Sequence, residues 1–307
     1  MNEVPPLPDL LAARGFLLRQ AGIDPRALDR HRTRTDQRLA LIDGRAEGCH
    51  PALQGARIVC VGDALCGGAD DDAPASRHAT FCASLLVGGD ATRGLGALGL
   101  CQGATLINCA AVTPSMLDGS QPLAEVAADL AASLRHAVRL GCRTILFGVE
   151  IRSPRSPAWQ SLRAAVDEAR AAGAVVVLPA GNRPASWSDT PCSWEAALVV
   201  ASLGSPGGPS AFSAAAYAGL GAVFAPGEQV PGAVEGDRTG LRSGTSFAAA
   251  LVAGVLGLAE ALRPGEAAGA CVARLFPRPH RRLDAGMLLA SHLPTASRET
   301  AHATAHP

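Results

Sequence analysis

Short apolar runs alternate with amphipathic segments along most of this 307-residue chain. Seven runs predict buried strands: LALI (39–42), ARIVCV (56–61), ATLINCAAV (104–112), TILFGV (144–149), AVVVL (174–178), ALVVASL (197–203) and AVFAP (222–226). Segment 122–141 predicts a helix with its apolar side chains on one face, and segment 161–173 repeats the pattern. The apolar face comprises Leu123, Val126, Leu130, Leu134 and Val138. This alternation predicts an α/β fold with right-handed crossovers, a mainly parallel sheet of about seven strands and helices on both faces.

The two ends of the chain depart from this pattern. Residues 1–36 are an Arg-rich N-terminal extension whose middle, LLAARGFLLRQAG, predicts one amphipathic helix. Residues 292–307 have no periodicity and few apolar side chains, so we expect a disordered tail with solvated histidines at 302 and 306. The folded domain is therefore expected to span residues 37–291.

Charge and composition exclude several classes of partner. Lys plus Arg and Asp plus Glu both total 27, so no net charge attracts nucleic acid or an anionic membrane. The chain contains no uninterrupted apolar run of about 18 residues, and Glu3 and Asp9 occupy the place of a secretory signal's basic region. We expect a soluble, cytoplasmic protein, and the sequence leaves its oligomeric state open.

The nine cysteines and one acidic run give no metal or cofactor signal. The cysteines form an odd set without a CxxC pair, which argues against a zinc ribbon or a disulfide framework, so most are expected to be buried thiols. The run Asp70, Asp71 and Asp72 lacks the spaced ligands of a calcium loop and is interpreted as a solvated turn. We therefore expect neither a bound metal nor a cofactor.

The segment RSGTSFAAALVAGVLGLAEALRP carries the strongest chemical signal. Its Gly-Thr-Ser turn continues directly into an apolar helix, which places Ser246 at a helix N-terminus. There the free N–H groups and the positive end of the helix dipole favour an oxyanion formed during acyl transfer. By itself the pattern is equally typical of a serine that caps a buried helix.

A nucleophilic serine needs a base and a carboxylate that orients it. His78 begins an apolar, helix-like run, although a lone histidine in such a place often has a structural role. Asp43 and Asp63 each end a predicted strand before this histidine, and both are candidates for the acid. Asn182 follows the strand AVVVL, where its side-chain amide is a candidate oxyanion donor, whereas Gly-Asn alone signals only a turn.

Taken together, these segments resemble the subtilisin family of serine peptidases. The serine turn is similar to the family's Gly-Thr-Ser-x-Ala motif, and SRHATFCA to its His-Gly-Thr-His-Val-Ala segment. LALIDG resembles the family's strand-Asp-Ser-Gly segment, which favours Asp43 over Asp63. The resemblance extends over residues 39–262 and implies a subtilisin-like three-layer α/β/α fold. It implies a catalytic triad of Asp43, His78 and Ser246, in the family's chain order, with Asn182 in the oxyanion hole.

The short interval of 35 residues between Asp43 and His78 is similar to the spacing of the same two residues in the peptidases of cyanobactin maturation. That resemblance implies limited cleavage of a ribosomally made precursor peptide. The family's Ser-Leu-Gly-Gly segment, which binds substrate, corresponds to Gly148, Val149, Glu150 and Ile151. Glu150 is either a contact for a basic substrate residue or a solvated loop charge.

Departures from the family pattern favour a second hypothesis. Ala79, Phe81 and Ala250 replace the family's usual residues, as expected of a catalytically silent domain that binds a peptide or serves as a scaffold. The presence of all four reacting groups favours a peptidase. A third hypothesis is an esterase or acyltransferase with the same triad, because the acyl-enzyme route fixes neither the leaving group nor the acceptor.

Overall fold

A parallel sheet of seven strands forms the centre of the molecule. The computed structural model describes residues 6–30, 33, 36–62, 74–89, 99–183, 190–204, 207–213, 221–277 and 281–286. The strands are β1 (Arg38–Asp43), β2 (Arg57–Val61), β3 (Thr105–Ala110), β4 (Thr144–Phe147), β5 (Val175–Pro179), β6 (Ala197–Leu203) and β7 (Val223–Pro226). All neighbours are parallel, in the order β2-β3-β1-β4-β5-β6-β7. This confirms the seven predicted strands and the α/β/α class.

Each face of the sheet is covered by helices because side chains alternate along the strands. On β1, Leu39 and Leu41 belong to one buried cluster, and Ala40 and Ile42 belong to the other. The helices are α1 (Leu7–Gln20), α2 (Pro25–Arg30), α3 (Pro74–Val87), α4 (Pro114–Leu117), α5 (Leu123–Arg139), α6 (Gln160–Ala171), α7 (Thr245–Leu262) and α8 (Ala268–Leu275). Side chains of α1, α3, α7 and α8 join the first cluster, and those of α5 and α6 join the second.

Helix α5 corrects one detail of the predicted apolar face. Val126, Leu130 and Leu134 are buried as expected, whereas Val138 is half-buried and Leu123 is exposed. Leu123 is the first residue of the helix, so its side chain lies at the edge of the packed surface. The predicted periodicity therefore holds from Val126 to Leu134 and weakens at the two ends of the helix.

Helix α7 passes through the core beside the sheet. It is the one helix among the described residues long and apolar enough to cross a membrane, but 83% of its apolar stretch is buried inside the protein. A Cβ added to Gly254 would lie 2.4 Å from Leu100 Cδ1, and one added to Gly257 would lie 2.6 Å from Leu39 Cδ2. The small residues therefore allow α7 to pack closely against its neighbours.

The described part of the N-terminal extension packs into the same core. Leu17 and Leu18 on α1 are fully buried, and Arg14 forms an ion pair with Asp29 on α2 at 2.6 Å. The sequence predicted one helix in this region, and the structure has two. The predicted tail, 292–307, lies outside the described residues.

An antiparallel hairpin was not predicted from the sequence. It comprises β8 (Val230–Val234) and β9 (Arg238–Arg242) and leads directly into the turn before α7. Gly232 lies against the ring of Phe81, since a Cβ at this position would be only 2.7 Å from Phe81 Cζ. The hairpin thus packs on α3, the helix that carries His78.

Candidate active site

The predicted site residues meet at the carboxyl ends of three adjacent strands. Asp43 is the last residue of β1, Gly148 follows β4, and Asn182 follows β5. These strands are neighbours in the order β1-β4-β5, so their ends lie along one edge of the sheet. In open parallel sheets ligands bind at this edge. Helix α3 contributes His78, and the second residue of α7 is Ser246.

The structure brings Asp43 and His78 together. His78 Nδ1 and Asp43 Oδ2 are 2.7 Å apart, and Gly44 N–H donates to the other carboxylate oxygen, Oδ1, at 2.8 Å. The side chain of Asp43 is buried, whereas that of His78 remains 27% exposed. With Nδ1 engaged by the carboxylate, Nε2 is the nitrogen left for proton transfer. The competing candidate, Asp63, lies outside the described residues.

The surroundings of His78 favour its protonated form. Burial of the ring acts to lower its pKa, but the charge and hydrogen bond of Asp43, together with Cys82, outweigh burial. The pKa of His78 is therefore held well above its ordinary value. Sequence reasoning overlooked Cys82, whose Sγ lies 3.9 Å from His78 Nδ1, one helical turn further along α3.

The turn before α7 presents Ser246 at the helix N-terminus. Gly244 N–H donates to the carbonyl of Gly227, at 2.9 Å, which ties the turn to the residue that directly follows β7. The N–H of Ser246 belongs to the first helical turn, where backbone donors have no partner within the helix. The Ser246 hydroxyl donates to the carbonyl of Gly148 at 3.5 Å, and among the described residues it has no hydrogen bond to His78.

The amide of Asn182 is held in one orientation by Thr245. Thr245 donates to Asn182 Oδ1 twice, from its N–H at 2.8 Å and from its hydroxyl at 3.0 Å. The same hydroxyl accepts a hydrogen bond from Gly181 N–H at 3.2 Å. Because Oδ1 faces two donors, Nδ2 faces the opposite way and is free to donate to an oxyanion. Sequence reasoning missed Thr245, although it is part of the serine motif itself.

Aromatic packing links the histidine helix to the serine helix. The rings of His78 and Phe247 are 5.6 Å apart, and those of Phe247 and Phe81 are 4.4 Å apart. Phe81, one of the departures from the family pattern, is completely buried in this stack. It therefore fixes α3 against the start of α7, and its presence removes no reacting group.

The three predicted substrate residues have different environments. Gly148 lies at the site and contacts both Asp43 and Ser246. Val149 packs against the cluster formed by α5 and α6. Glu150 pairs with Arg152 at 3.4 Å on the surface, so part of its charge is already balanced. Substrate binding by these residues remains a prediction.

The cysteines and acidic side chains are the groups that could bind a metal ion. Eight cysteines lie within the described residues, and all are free thiols. One described group, Asp43, His78 and Cys82, has potential ligand atoms within 4.8 Å of one another. Two of those atoms, Asp43 Oδ2 and His78 Nδ1, already share a hydrogen bond. The acidic run at 70–72 lies outside the described residues.

These features define a class of protein. A buried carboxylate orients a histidine, and a serine occupies a helix N-terminus. The oxygen of an asparagine amide is held by Thr245, so its nitrogen can donate elsewhere. At the edge of the sheet of an α/β/α fold, this is the arrangement of a serine-type peptidase.

Comparison of the sequence with family profiles gives the family. The profile of the subtilase family, Peptidase_S8, matches residues 63–275, which is more than half of the chain. The chain belongs to the subtilase family of serine peptidases. The matched range begins after Asp43, so the support for that acid comes from its hydrogen bond to His78. None of the curated protein sequences matches the chain.

Solved structures of peptide-maturation enzymes have the same fold. The patellamide maturation protease PatA is 25% identical, with a TM-score of 0.65, over 85% of this chain and 99% of that chain. The PatG macrocyclase in complex with peptide is 18% identical, with a TM-score of 0.66, over 94% and 99%. The nisin leader peptidase NisP from Lactococcus lactis is 16% identical, with a TM-score of 0.70, over 93% and 94%. This confirms the expected resemblance to the cyanobactin type.

Asn182→Ala is expected to lower peptide turnover by about a hundred- to a thousandfold, because it removes one oxyanion donor and leaves the nucleophile in place. That magnitude is the one established for the corresponding change in subtilisin. Labelling by a fluorophosphonate should persist at a reduced rate. Kinetics of both reactions test this, and unchanged turnover would show that the amide takes no part.

Proposed function

We propose that this protein is a serine endopeptidase that makes limited cuts in a precursor peptide through an acyl-enzyme intermediate. The observation that carries the proposal is the Asp43–His78 hydrogen bond of 2.7 Å, at the same sheet edge as a helix-terminal serine. A scaffold has no chemical need of a buried carboxylate aimed at a partly exposed imidazole.

In the proposed mechanism Ser246 Oγ attacks the carbonyl carbon of the scissile bond while His78 Nε2 takes the hydroxyl proton. The carbonyl oxygen becomes an oxyanion held by Asn182 Nδ2 and the N–H of Ser246. His78 then gives its proton to the leaving amine, and the C–N bond breaks to leave an ester on Ser246. Water, deprotonated by His78, attacks the ester; His78 returns that proton to Ser246 Oγ as the C–O bond to the serine breaks, which releases a carboxylic acid. Asp43 stabilises the imidazolium throughout.

The hydroxyl must turn before the first step. In the structure it donates to Gly148 rather than to His78. Catalytic hydrogen bonds are often formed only when substrate is bound, and rotation about one side-chain bond redirects a serine hydroxyl. The 3.5 Å contact with the carbonyl of Gly148 is long for such a hydrogen bond, so little is lost when the hydroxyl turns towards His78.

Two solved proteins with the same fold are named as peptide-processing enzymes, which supports the proposed substrate class. PatA is a patellamide maturation protease and NisP a nisin leader peptidase. Both descriptions concern cleavage of a peptide during maturation. A precursor peptide is accordingly the substrate we propose, without bulk degradation of folded proteins.

Two other functions use the same residues. The similarity in fold to the PatG macrocyclase makes acyl transfer to an amine the alternative reaction. The second alternative is a domain that binds a peptide without cleaving it. It is suggested by the serine hydroxyl that points to Gly148 instead of His78, and by the departures from the family pattern at Ala79, Phe81 and Ala250.

Incubation with candidate precursor peptides distinguishes the three. We expect one defined cut that yields a linear fragment with a free carboxylate, together with labelling by a fluorophosphonate, both measured by mass spectrometry. A fragment that lacks the elements of water, joined to an amine, would indicate acyl transfer. Peptide binding without any product or label would refute a peptidase.

A further inference from the structure

Gly148 lies where the carboxylate of Asp43 and the hydroxyl of Ser246 approach the same backbone segment. Its N–H donates to the carbonyl of Ile42 at 2.9 Å, which holds the segment beside the end of β1. Its own carbonyl accepts the hydrogen bond from Ser246. One residue thus contacts two of the three proposed catalytic side chains.

The carboxylate of Asp43 occupies the space of a side chain at position 148. A Cβ built on Gly148 would lie 1.9 Å from Asp43 Oδ2, 2.4 Å from Cγ and 3.0 Å from Oδ1. The first two distances are shorter than any real Cβ contact. Gly148 does not have a positive φ, so the requirement for glycine here is one of space and not of backbone conformation.

Asp43 has little freedom to move away. It is buried, its Oδ1 is held by Gly44 N–H, and its Oδ2 is held by His78 Nδ1. Its side chain is short, so any shift that makes room for a Cβ lengthens at least one of these hydrogen bonds. A longer bond to His78 weakens the interaction that raises the pKa of the imidazole.

We infer that Gly148 is a positioning residue, which sets the approach of Asp43 to His78 and so the basicity of the imidazole. Its catalytic consequence rests on the proposed function, but its effect on His78 does not. The substrate contact predicted for Gly148 from the sequence stays a prediction beside this role.

The direct test is titration of the His78 imidazole by NMR in the wild-type protein and in Gly148→Ala. We expect its pKa to fall by about one unit, since an opposite charge at hydrogen-bond distance shifts a pKa by about 1–3 units and only part of this is lost. Comparison with His78→Gln assigns the signal among eight histidines. Gly48→Ala is the matched control, because this glycine has open space around it and lies in the segment that follows Asp43 at the end of β1. An unchanged pKa in Gly148→Ala would overturn the inference.

A second test uses stability and needs no activity. Gly148→Ala should lower the melting temperature in the wild-type protein and lower it much less in an Asp43→Ala background, where the carboxylate no longer fills the space. The comparison of the two backgrounds still decides the question if Gly148→Ala alone folds poorly. Equal losses in both backgrounds would mean that the added methyl group meets something other than Asp43, and would overturn the inference.

Activity gives a third and separate readout. If the protein cleaves a peptide, Gly148→Ala should reduce kcat/KM by about a hundredfold, the effect of a misplacement of roughly 1 Å. The acidic limb of its pH profile should also move to lower pH. If no peptide is cleaved by the wild-type protein, the proposed function fails, and the titration and the stability cycle still decide the role of Gly148.

Discussion

Ser246→Ala is expected to abolish peptide cleavage and fluorophosphonate labelling while the fold stays intact. Ser246 is buried, but the hydroxyl oxygen is the only heavy atom lost, so no large cavity opens in the core. The loss in kcat should be on the order of a millionfold, as for the corresponding change in subtilisin. Residual turnover would come from the oxyanion donors and substrate binding alone.

Ser243→Ala is the matched control for this variant. It removes a hydroxyl from the same turn, where Ser243 Oγ accepts a hydrogen bond from Gln229 N–H at 3.0 Å on the exposed side. We expect near wild-type labelling and turnover. If Ser246→Ala still cleaves a peptide that the wild-type protein demonstrably cuts, the nucleophile is another residue and the proposed mechanism is wrong.

The main sheet was predictable because each of its strands is a short apolar run between turn residues. Such runs are typical of strands covered on both faces. The hairpin of β8 and β9 escaped prediction for the opposite reason. VPGAV contains proline and glycine, and RTGLR carries two arginines around a glycine, so neither segment has the composition or alternation of a strand. Packing against Phe81, distant in sequence, stabilises it.

The candidate site residues could be proposed from the sequence, whereas the contacts between them could not. Motif types and chain order pointed to Asp43, His78, Ser246 and Asn182, whose roles stay predictions. The hydrogen bonds from Thr245 to Asn182 join residues 63 positions apart, and no local pattern reports them. The space that Gly148 leaves for Asp43 could not be predicted from the sequence either, because a motif gives residue types and not the distances between them.

Asp43→Asn is expected to reduce kcat by about ten-thousandfold with the fold retained. An amide in place of the carboxylate favours the wrong tautomer of His78 and does not stabilise its cation. Asp63→Asn is the control, since the sequence offered this residue as the alternative acid. It should keep most of its activity, and the reverse result would show that Asp63 is the orienting acid.

The pH profile gives an independent check of the same residue. His78 must be neutral to take the proton from Ser246, so activity rises as the pH passes through the pKa of the imidazole. Asp43 holds that pKa well above its ordinary value, against the opposing effect of burial. The midpoint for the wild-type protein should therefore lie above about 6.5, the ordinary value for histidine. In Asp43→Asn the raising influence is lost and burial remains, so the midpoint should move to lower pH while the plateau falls. A wild-type profile already at its plateau well below pH 6 would contradict the pairing of Asp43 with His78, because an imidazole held by a buried carboxylate cannot be neutral there.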